Sequence, residues 1–297
     1  MTPPRLTPQT RAAIADAGLD EAYVQDLVAR AVAEDLDGGV DVTSVATVPS
    51  DLRGVAAYVP RQAGVVAGTA VAMAVLDHVV DGVVHRIVGR DGGPAVVGQP
   101  VLEAEGGVQQ LLTAERTSLN LLCHLSGVAT LTRCWVDAVE GTGARIRDTR
   151  KTTPGLRVLE KHAVRAGGGT NHRMSLSDAA LVKDNHVVAA GGVAQAFDAV
   201  RRTFPGLAVE VECDTLAQVL EVLDAGADLV LLDNMTTDEL RECVEACRAR
   251  GVMTEASGGL TLDTARAVAE TGVDFLAIGA LTHSAPVLDL GVDLRTA

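Results

Sequence analysis

The sequence is poor in aromatic residues and in positive charge. One Trp, two Tyr and three Phe make up 2% of the 297 residues, too few for a surface on which nucleic-acid bases stack. The 25 Lys and Arg are outnumbered by 39 Asp and Glu, and the net charge is -14 at pH 7. A net negative charge disfavours nucleic acids and anionic membranes as partners. Small anions remain possible ligands where cations are locally concentrated.

Cysteines and long apolar stretches are also scarce. The chain has five cysteines, an odd number and too few for a disulfide framework. We therefore expect a reducing, cytoplasmic location. Cys243 and Cys247 stand four residues apart in a helical pattern, which we interpret as buried thiols rather than a metal site. No apolar stretch approaches the roughly 20 residues of a membrane span. Residues 1–10 hold three prolines and lack the apolar core of a secretory signal.

Hydrophobic periodicity divides the chain into two parts. In the first, apolar spacing predicts helices over residues 21–34 and 69–76, short strands near them, and either one long helix or two abutting helices over 115–139. In the second, apolar strands alternate with helices, and the strands are 145–149, 180–183, 208–212, 229–233, 252–256 and 275–278. Nearly continuous apolar strands predict a parallel sheet covered by helices. Six such units favour an α/β fold of the TIM-like kind, a closed or partly closed barrel, over an open doubly wound sheet.

Polar or small residues follow or end the predicted barrel strands. In strand order they are Arg150 and Lys151, Lys183, Glu212, Asp233, Ser257 and Gly279. The carboxyl ends of barrel strands converge on one face, where enzymes of this fold place their active sites. Any one of these residues is explained equally well by a strand reaching the surface. Their recurrence at equivalent positions predicts a site at this face.

Positive charge is concentrated in one segment of the acidic chain. Residues 145–173 contain eight basic and two acidic residues, a local charge of +6. The chain's three lysines, Lys151, Lys161 and Lys183, lie in this segment or just beyond it. We expect part of the charge to form a solvated helix face, made of Arg157, Lys161 and Arg165. The remaining cations predict an anion site.

Two features near these cations suggest ligand contacts. A glycine run at residues 167–169 leads to His172 and Arg173, and an Arg side chain has the planar shape that binds a carboxylate. Glu212 and Asp233 follow consecutive strands. Their carboxylates suit Mg²⁺ that also binds a substrate diphosphate, and a general acid-base pair is the alternative.

Two turns of small residues follow the last two predicted strands. One contains Ser257, Gly258 and Gly259, and the other contains Gly279 and Ala280. Backbone amides at such turns, before the next helix, bind phosphate in many barrels. The pair of turns therefore predicts a phosphate site.

Several segments together resemble the quinolinate phosphoribosyltransferase family. The segments are 115–120 (ERTSLN), 148–157 (DTRKTTPGLR), 167–173 (GGGTNHR), 183–186 (KDNH), 210–212 (EVE) and 257–259 (SGG). The similarity runs in consistent order from about residue 34 to residue 289, and the segment 148–155 is its most specific part.

The resemblance implies both a fold and an activity. The fold is an α/β sandwich over residues 1–125, joined by 281–297, and an incomplete α/β barrel over 126–280. The activity is transfer of phosphoribosyl from 5-phosphoribosyl 1-diphosphate to quinolinate. The reaction includes decarboxylation, gives nicotinate mononucleotide, diphosphate and CO₂, and belongs to de novo NAD synthesis. The resemblance also implies a homodimer.

The same resemblance implies a role for individual residues. Arg116 would reach from a partner into a pocket in which Arg150, His172, Arg173 and Lys183 hold the two carboxylates of quinolinate, next to Thr149. Lys151 would lie near the diphosphate. Glu212 and Asp233 would lie near Mg²⁺, either directly or through water, and near the ribose hydroxyls. The 5′-phosphate would contact Ser257, Gly258, Gly259, Gly279 and Ala280, with His283 close by.

Two other functions remain open from the residues themselves. A barrel lyase would use Lys183 or Lys151 to form a Schiff base with a carbonyl substrate, a mechanism that favours a lysine in an apolar pocket. A binding protein of the same fold would hold a small oxyanion or nucleotide without turnover.

Overall fold

A computed structural model describes residues 6–87 and 89–296. It contains two compact units. The first holds the described residues up to Leu131, together with Val158–Gly168 and the segment from Ser284 onward, and the second holds Thr132–Arg157 and Gly169–His283.

The first unit combines helices with an antiparallel sheet. Its elements are α1 (Pro8–Asp16), α2 (Glu21–Leu36), α3 (Val42–Thr47), β1 (Arg53–Pro60), β2 (Gly64–Val65), α4 (Thr69–Val79), β3 (Val84–Ile87), β4 (Pro94–Ala95) and β5 (Leu102–Gly107), followed by most of α5 (Val108–Ala138) and α6 (Arg157–Ala166), and by β12 (Leu290–Thr296). The main sheet has the order β12-β1-β5-β3. The last strand therefore returns to the first unit, where Val59 is in register with Gly291.

Local sequence explains where the helices of this unit begin. Asp20 caps α2 by accepting a hydrogen bond from the Tyr23 amide at 2.8 Å, as expected of an Asp before the first helical turn. The apolar face of this helix is buried at Val24, Leu27 and Val28, and the helix predicted over residues 21–34 is confirmed. The segment predicted over 115–139 is a single helix, α5, that starts earlier, at Val108.

Buried polar contacts tie α6 to the first unit, although the sequence placed this helix in the barrel domain. His162 Nε2 lies 2.7 Å from a carboxylate oxygen of Asp91. The same carboxylate accepts hydrogen bonds from the amides of Gly68 and Thr69 at the start of α4. His124 on α5 contacts Glu160 at 2.9 Å. These contacts explain why Val158–Gly168 groups with the first unit.

One expectation for α6 is wrong. Arg165 is exposed, but Lys161 is fully buried and Arg157 is half-buried. The guanidinium of Arg157 donates to Thr152 Oγ1 and to the Met174 carbonyl, both at 3.0 Å. The spacing of the three cations correctly indicates a helix. It does not reveal that most of this helix lies inside the protein.

The second unit is an α/β barrel with one open side. Its elements are β6 (Arg145–Arg147), β7 (Ala180–Val182), α7 (Asp184–Ala190), α8 (Val193–Thr203), β8 (Val209–Cys213), α9 (Leu216–Asp224), β9 (Leu229–Asp233), α10 (Thr237–Arg248), β10 (Met253–Ser257), α11 (Leu262–Ala269), β11 (Phe275–Ala277) and α12 (Ala280–His283). The six strands are parallel, in the order β6-β11-β10-β9-β8-β7.

The strand order shows where the barrel closes. The first strand, β6, pairs with the last, β11, and not with β7. β6 and β7 form the two ends of the order. On the open side, Thr170 makes an isolated parallel bridge to Arg147. The predicted incomplete α/β barrel is confirmed. Between this bridge and β7, the chain carries His172 and Arg173.

Candidate active site

A cavity of about 340 Å³ lies at the carboxyl ends of the barrel strands. All of its lining residues belong to the second unit. They are Thr149, Arg150, Lys151, His172, Arg173, Leu181, Lys183, Glu212, Leu231, Asp233, Glu255, Ser257 and Ala277. The structure therefore brings together nine of the residues predicted from the sequence, since only Leu181, Leu231, Glu255 and Ala277 were not among them.

Four cations line this cavity. Arg150 and Lys151 follow β6, Arg173 comes from the segment before β7, and Lys183 follows β7. Burial lowers the pKa of Arg173, and the nearby charge of Arg150 lowers it further. Two cations brought close enough to oppose each other's charge favour an anion between them. The cavity is thus built to bind negative charge.

Two of these cations are held by the protein itself. Arg173 donates from Nη1 to the Ala179 carbonyl at 2.8 Å, which anchors one corner of the guanidinium. Lys183 Nζ lies 2.9 Å from Glu212 Oε2. An ammonium paired with a carboxylate and almost half exposed is not the desolvated lysine that a Schiff-base mechanism needs. This geometry disfavours the lyase at Lys183.

His172 occupies a fixed position at the cavity wall. Its backbone amide donates to Asp148 at 2.8 Å, and Arg173 donates its own amide to His172 Nδ1 at 2.7 Å. Because Nδ1 accepts, the ring proton is assigned to Nε2. Nε2 lies 2.7 Å from Glu210 Oε2, so the ring donates to this carboxylate. The backbone, a neighbouring amide and a buried acid thus orient His172.

A buried charged layer lies beneath the cavity, and sequence reasoning missed it. Arg147 on β6, Glu210 on β8 and Glu255 on β10 come from alternate strands of the barrel, the arrangement that forms interior layers in this fold. Arg147 Nη1 donates to Glu255 Oε2 at 2.6 Å. Both glutamates are buried. A signal was present in the sequence, because Glu210 and Glu255 are acids inside predicted barrel strands.

Glu212 and Asp233 have the chemistry that a magnesium site requires. They lie on the neighbouring strands β8 and β9, and both line the cavity. Lys183 contacts only one oxygen of Glu212, and Asn234 Nδ2 donates to one oxygen of Asp233 at 2.5 Å. Two carboxylates suit Mg²⁺, which keeps several waters and is completed by substrate phosphates. The residues therefore fit this ion.

The two turns of small residues lie beside the cavity. Ser257 lines it, and Gly258 and Gly259 have left-handed φ angles of 86° and 59°. Asn234 also has a positive φ, 55°, and its amide donates to the Ser257 carbonyl at 3.0 Å. This contact joins the strand end that carries Asp233 to the turn after β10. Such backbone conformations are favoured by glycine, and Asn is among the other residues that adopt them most readily.

The second turn lies against Lys151. A Cβ built on Gly279 would be 3.1 Å from Lys151 Cδ and 3.2 Å from His283 Nε2. Ala280 begins α12, and Thr282 in this helix donates to the Lys151 carbonyl at 2.8 Å. The predicted phosphate residues Gly279, Ala280 and His283 are therefore near a cavity cation, although they do not line the cavity itself.

Other predicted residues lie elsewhere. Arg116 is on α5 in the first unit, is exposed, and does not line the cavity. Cys243 and Cys247 are fully buried, as predicted, and burial raises the pKa of both thiols to about 11. Among residues 6–87 and 89–296, no helix is long and apolar enough to cross a membrane.

Comparisons with known proteins agree with this geometry along almost the whole chain. Residues 41–126 match the family profile described as quinolinate phosphoribosyl transferase, N-terminal domain, and residues 128–293 match the profile for its C-terminal domain. The chain belongs to the quinolinate phosphoribosyltransferase family. The family assignment is consistent with the cationic cavity and with the incomplete barrel around it.

Members of this family with close similarity include bacterial proteins and solved structures. The chain is 51% identical to the nicotinate-nucleotide pyrophosphorylase [carboxylating] of Mycobacterium leprae, over 95% of this chain and 100% of the relative. It is 36% identical to NadC from Streptococcus pyogenes, with a TM-score of 0.90 over 94% of this chain and 99% of that one. The nicotinate-nucleotide pyrophosphorylase from Francisella tularensis is 33% identical, with a TM-score of 0.88 over 93% of this chain and 98% of that one.

Proposed function

We propose that this protein is a quinolinate phosphoribosyltransferase. It transfers phosphoribosyl from 5-phosphoribosyl 1-diphosphate to quinolinate, and the loss of one carboxylate as CO₂ gives nicotinate mononucleotide and diphosphate. The observation that carries the proposal is a single cavity lined by four cations, Arg150, Lys151, Arg173 and Lys183, next to the carboxylates Glu212 and Asp233. This number of cations exceeds what one carboxylate needs and suits a dicarboxylate.

The residues divide between the two substrates. Arg150, His172, Arg173 and Lys183 hold the carboxylates of quinolinate, with Thr149 beside them. Lys151 contacts the departing diphosphate, and the turns containing Ser257, Gly258, Gly259, Gly279 and Ala280 hold the 5′-phosphate, with His283 nearby. These assignments are supported by the lining of the cavity and by the packing of Gly279 against Lys151 and His283.

The transfer step needs charge stabilisation rather than a protein nucleophile. Positive charge develops at the anomeric carbon of ribose as diphosphate leaves, and Glu212 and Asp233 are placed to stabilise that charge and to contact the ribose hydroxyls. Mg²⁺, held by these carboxylates directly or through water, would supply Lewis-acid stabilisation of the leaving diphosphate. Lys151 adds a second positive charge there.

Decarboxylation follows from the product of the transfer. Once the ring nitrogen carries ribose, its positive charge accepts the electron pair left when the adjacent carboxylate departs as CO₂. The cations that oriented the dicarboxylate act here by holding the ring in place and excluding water.

Product analysis tests this function. The protein is incubated with phosphoribosyl diphosphate and either quinolinate or nicotinate, with and without Mg²⁺, and both CO₂ and diphosphate are measured. We expect Mg²⁺-dependent release of both from quinolinate. Diphosphate release with nicotinate alone would overturn the dicarboxylate assignment. Ligand binding without turnover would instead indicate the binding protein considered above.

We also propose that the enzyme is a homodimer in which Arg116 of each subunit completes the partner's site. Arg116 is exposed and lies outside the cavity of its own chain, which leaves it available to a second copy. We expect Arg116→Ala and Arg173→Ala to be inactive separately. Mixing equal amounts with subunit exchange should restore about a quarter of wild-type activity, because half of the dimers then carry one intact site. No recovery despite exchange would contradict the shared site.

The same proposal places the protein in the cytoplasm. Its five cysteines are all free thiols, which suits a reducing compartment.

A further inference from the structure

Glu255 is a buried acid at the floor of a cavity built for anions. Its exposure is 0%, yet it is among the cavity-lining residues. A negative charge at this position would oppose the binding of an anionic ligand. The protonation state of Glu255 therefore matters for what the cavity can hold.

The surroundings of Glu255 are unusual for an ionised carboxylate. Arg147 on β6 donates to its Oε2, but its Oε1 is buried and has no hydrogen-bond partner. The second buried acid, Glu210 on β8, also has an unpartnered Oε1. The strands on either side, β9 and β11, place the apolar residues Leu231 and Phe275 in register with Glu255. Arg147 thus pairs with one oxygen of Glu255, while the charge of Arg173 acts on Glu210.

His172 is the remaining titratable group beside this pair. One oxygen of each carboxylate and one ring nitrogen of His172 lie within 4.8 Å of one another. His172 donates its Nε2 proton to Glu210, and its distance from Glu255 Oε1 is 3.6 Å. Neither contact gives Glu255 Oε1 a donor at hydrogen-bond distance. A proton on Glu255 itself would make this oxygen a donor, with the Glu210 carboxylate as a nearby acceptor.

A metal ion is the other cation that could occupy this cluster, and the histidine tautomer argues against it. The Arg173 amide donates to Nδ1 of His172, so Nδ1 carries no proton and Nε2 carries the ring proton. A metal at Nε2 would need the lone pair of that nitrogen. Binding would therefore require His172 to lose its ring proton or break its contact with Arg173. A proton on Glu255 requires neither change.

The charge of the cavity supports the same conclusion. The four lining cations exceed the carboxylates Glu212 and Asp233 by two charges, provided that Glu255 is neutral. A larger excess of positive charge favours anionic ligands such as quinolinate. Ionised Glu255 would halve this excess.

We propose that Glu255 at the cavity floor carries a proton in mildly acidic solution, and that its ionisation weakens the binding of a dianionic substrate. In this role Glu255 is a positioning and specificity residue, and its effect on substrate rests on the proposed function. Burial and the charge of Glu210 raise its pKa to about 7, against the opposing effects of Arg147 and His172. The neutral form therefore predominates in mildly acidic solution and is lost as the pH rises through that value.

Infrared spectroscopy of the ligand-free protein tests the proton directly. Wild type should show the carbonyl band of a protonated carboxyl group at about pH 6. The band should disappear by about pH 8.5, with a midpoint near pH 7. Glu255→Gln should lack the band. Glu210→Gln should keep it but shift its midpoint to lower pH, because the negative neighbour is gone. Glu245→Gln, at an exposed position on α10, is the matched control and should behave as wild type.

Three results would overturn the inference. They are absence of the band from wild type, its survival in Glu255→Gln, and stoichiometric binding of Zn²⁺ or Mn²⁺ by wild type but not by Glu255→Gln. If Glu255→Gln fails to fold, the Glu210→Gln variant still tests the inference, because an unchanged midpoint pH of the infrared band would contradict it.

Kinetics test the consequence for substrate. In wild type, KM for quinolinate should rise at least about tenfold between about pH 6 and about pH 8.5, as expected for a new charge a few ångströms from a dianion, with a smaller change in kcat. This rise should be absent from Glu255→Gln. A purely structural role would lower activity equally at every pH. Lack of any turnover with quinolinate would refute the proposed function and the effect on substrate affinity. The infrared result is independent of turnover and shows whether Glu255 carries a proton.

Discussion

Arg173 offers the sharpest test of the proposed dicarboxylate site. Its guanidinium lines the cavity and is anchored through Nη1 to the Ala179 carbonyl at 2.8 Å, so its other nitrogens remain to contact a ligand. At protein interfaces, removing one partner of a buried, hydrogen-bonded charge pair lowers the binding free energy by about 2 to 5 kcal/mol or more. Taking about 3 kcal/mol, kcat/KM for quinolinate should fall roughly 150-fold in Arg173→Ala.

A conservative variant separates charge from shape. Arg173→Lys keeps the positive charge, but a single ammonium cannot hold the Ala179 carbonyl and a substrate carboxylate in the same geometry. We expect roughly a tenfold loss of kcat/KM, intermediate between wild type and the alanine variant. The thermal midpoint should change little, since the Arg173 side chain lies at the cavity wall and is held there by its hydrogen bond to the Ala179 carbonyl.

Steady-state kinetics with quinolinate as the varied substrate provide the measurement. Arg241→Ala is the matched control, because Arg241 is exposed on α10, outside the cavity, and pairs with Asp238 three residues earlier. The reasoning is refuted if Arg173→Ala retains kcat/KM within about threefold of wild type, or if Arg241→Ala shows the same loss.

Two further predictions concern stability and the phosphate turn. Asp91→Asn should lower the free energy of unfolding by about 3 kcal/mol, because a buried carboxylate that accepts from His162 loses its charge. Burial alone would raise the pKa of Asp91, but its hydrogen bonds lower it by more, and the net pKa is below the usual value. The stabilisation by the Asp91 carboxylate is therefore complete above about pH 4 and is lost as the pH falls through the folded-state pKa. Urea unfolding should show the difference in stability between Asp91→Asn and wild type shrinking in acid, and a constant difference would contradict this. Gly258→Ala should raise KM for phosphoribosyl diphosphate, because the new Cβ would lie 2.2 Å from Asn234 Oδ1 at a φ of 86°. Gly38→Ala, at a φ of 73° with open space around it, is the control, and an equal effect in both variants would show that backbone strain alone is responsible.

The barrel and its charged mouth could be predicted because the relevant signals are local. A parallel strand is a short apolar run, and the residue that follows it must reach the mouth of the barrel. Lys183, Glu212 and Asp233 were assigned on this basis, and all three line the cavity. Strand positions agree to within a few residues, and β9 agrees in full at Leu229–Asp233.

Short elements and buried charges were harder to predict. The helix α7, Asp184–Ala190, has no buried residues, so it has no apolar face that periodicity could detect. Lys161 presents the opposite problem. Its charge and spacing are typical of a solvated helix face, whereas its burial depends on the packing of α6 inside the first unit, which no local pattern reports.

The buried layer under the active site shows why some functional residues are recognised only from the structure. Arg147, Glu210 and Glu255 are separated by as many as 108 residues, and each by itself is only a charged residue within a barrel strand. Burying one such charge alone would be costly, so each charge requires a partner. In a barrel, that partner is found on the next strand but one, because alternate strands share an interior layer. Charged residues inside consecutive odd or even strands therefore indicate a common layer. For this chain, the rule places Glu255, which does not follow a strand end, in the same layer as Arg147 and Glu210. Glu255 can thereby be recognised as a residue that affects the cavity above this layer.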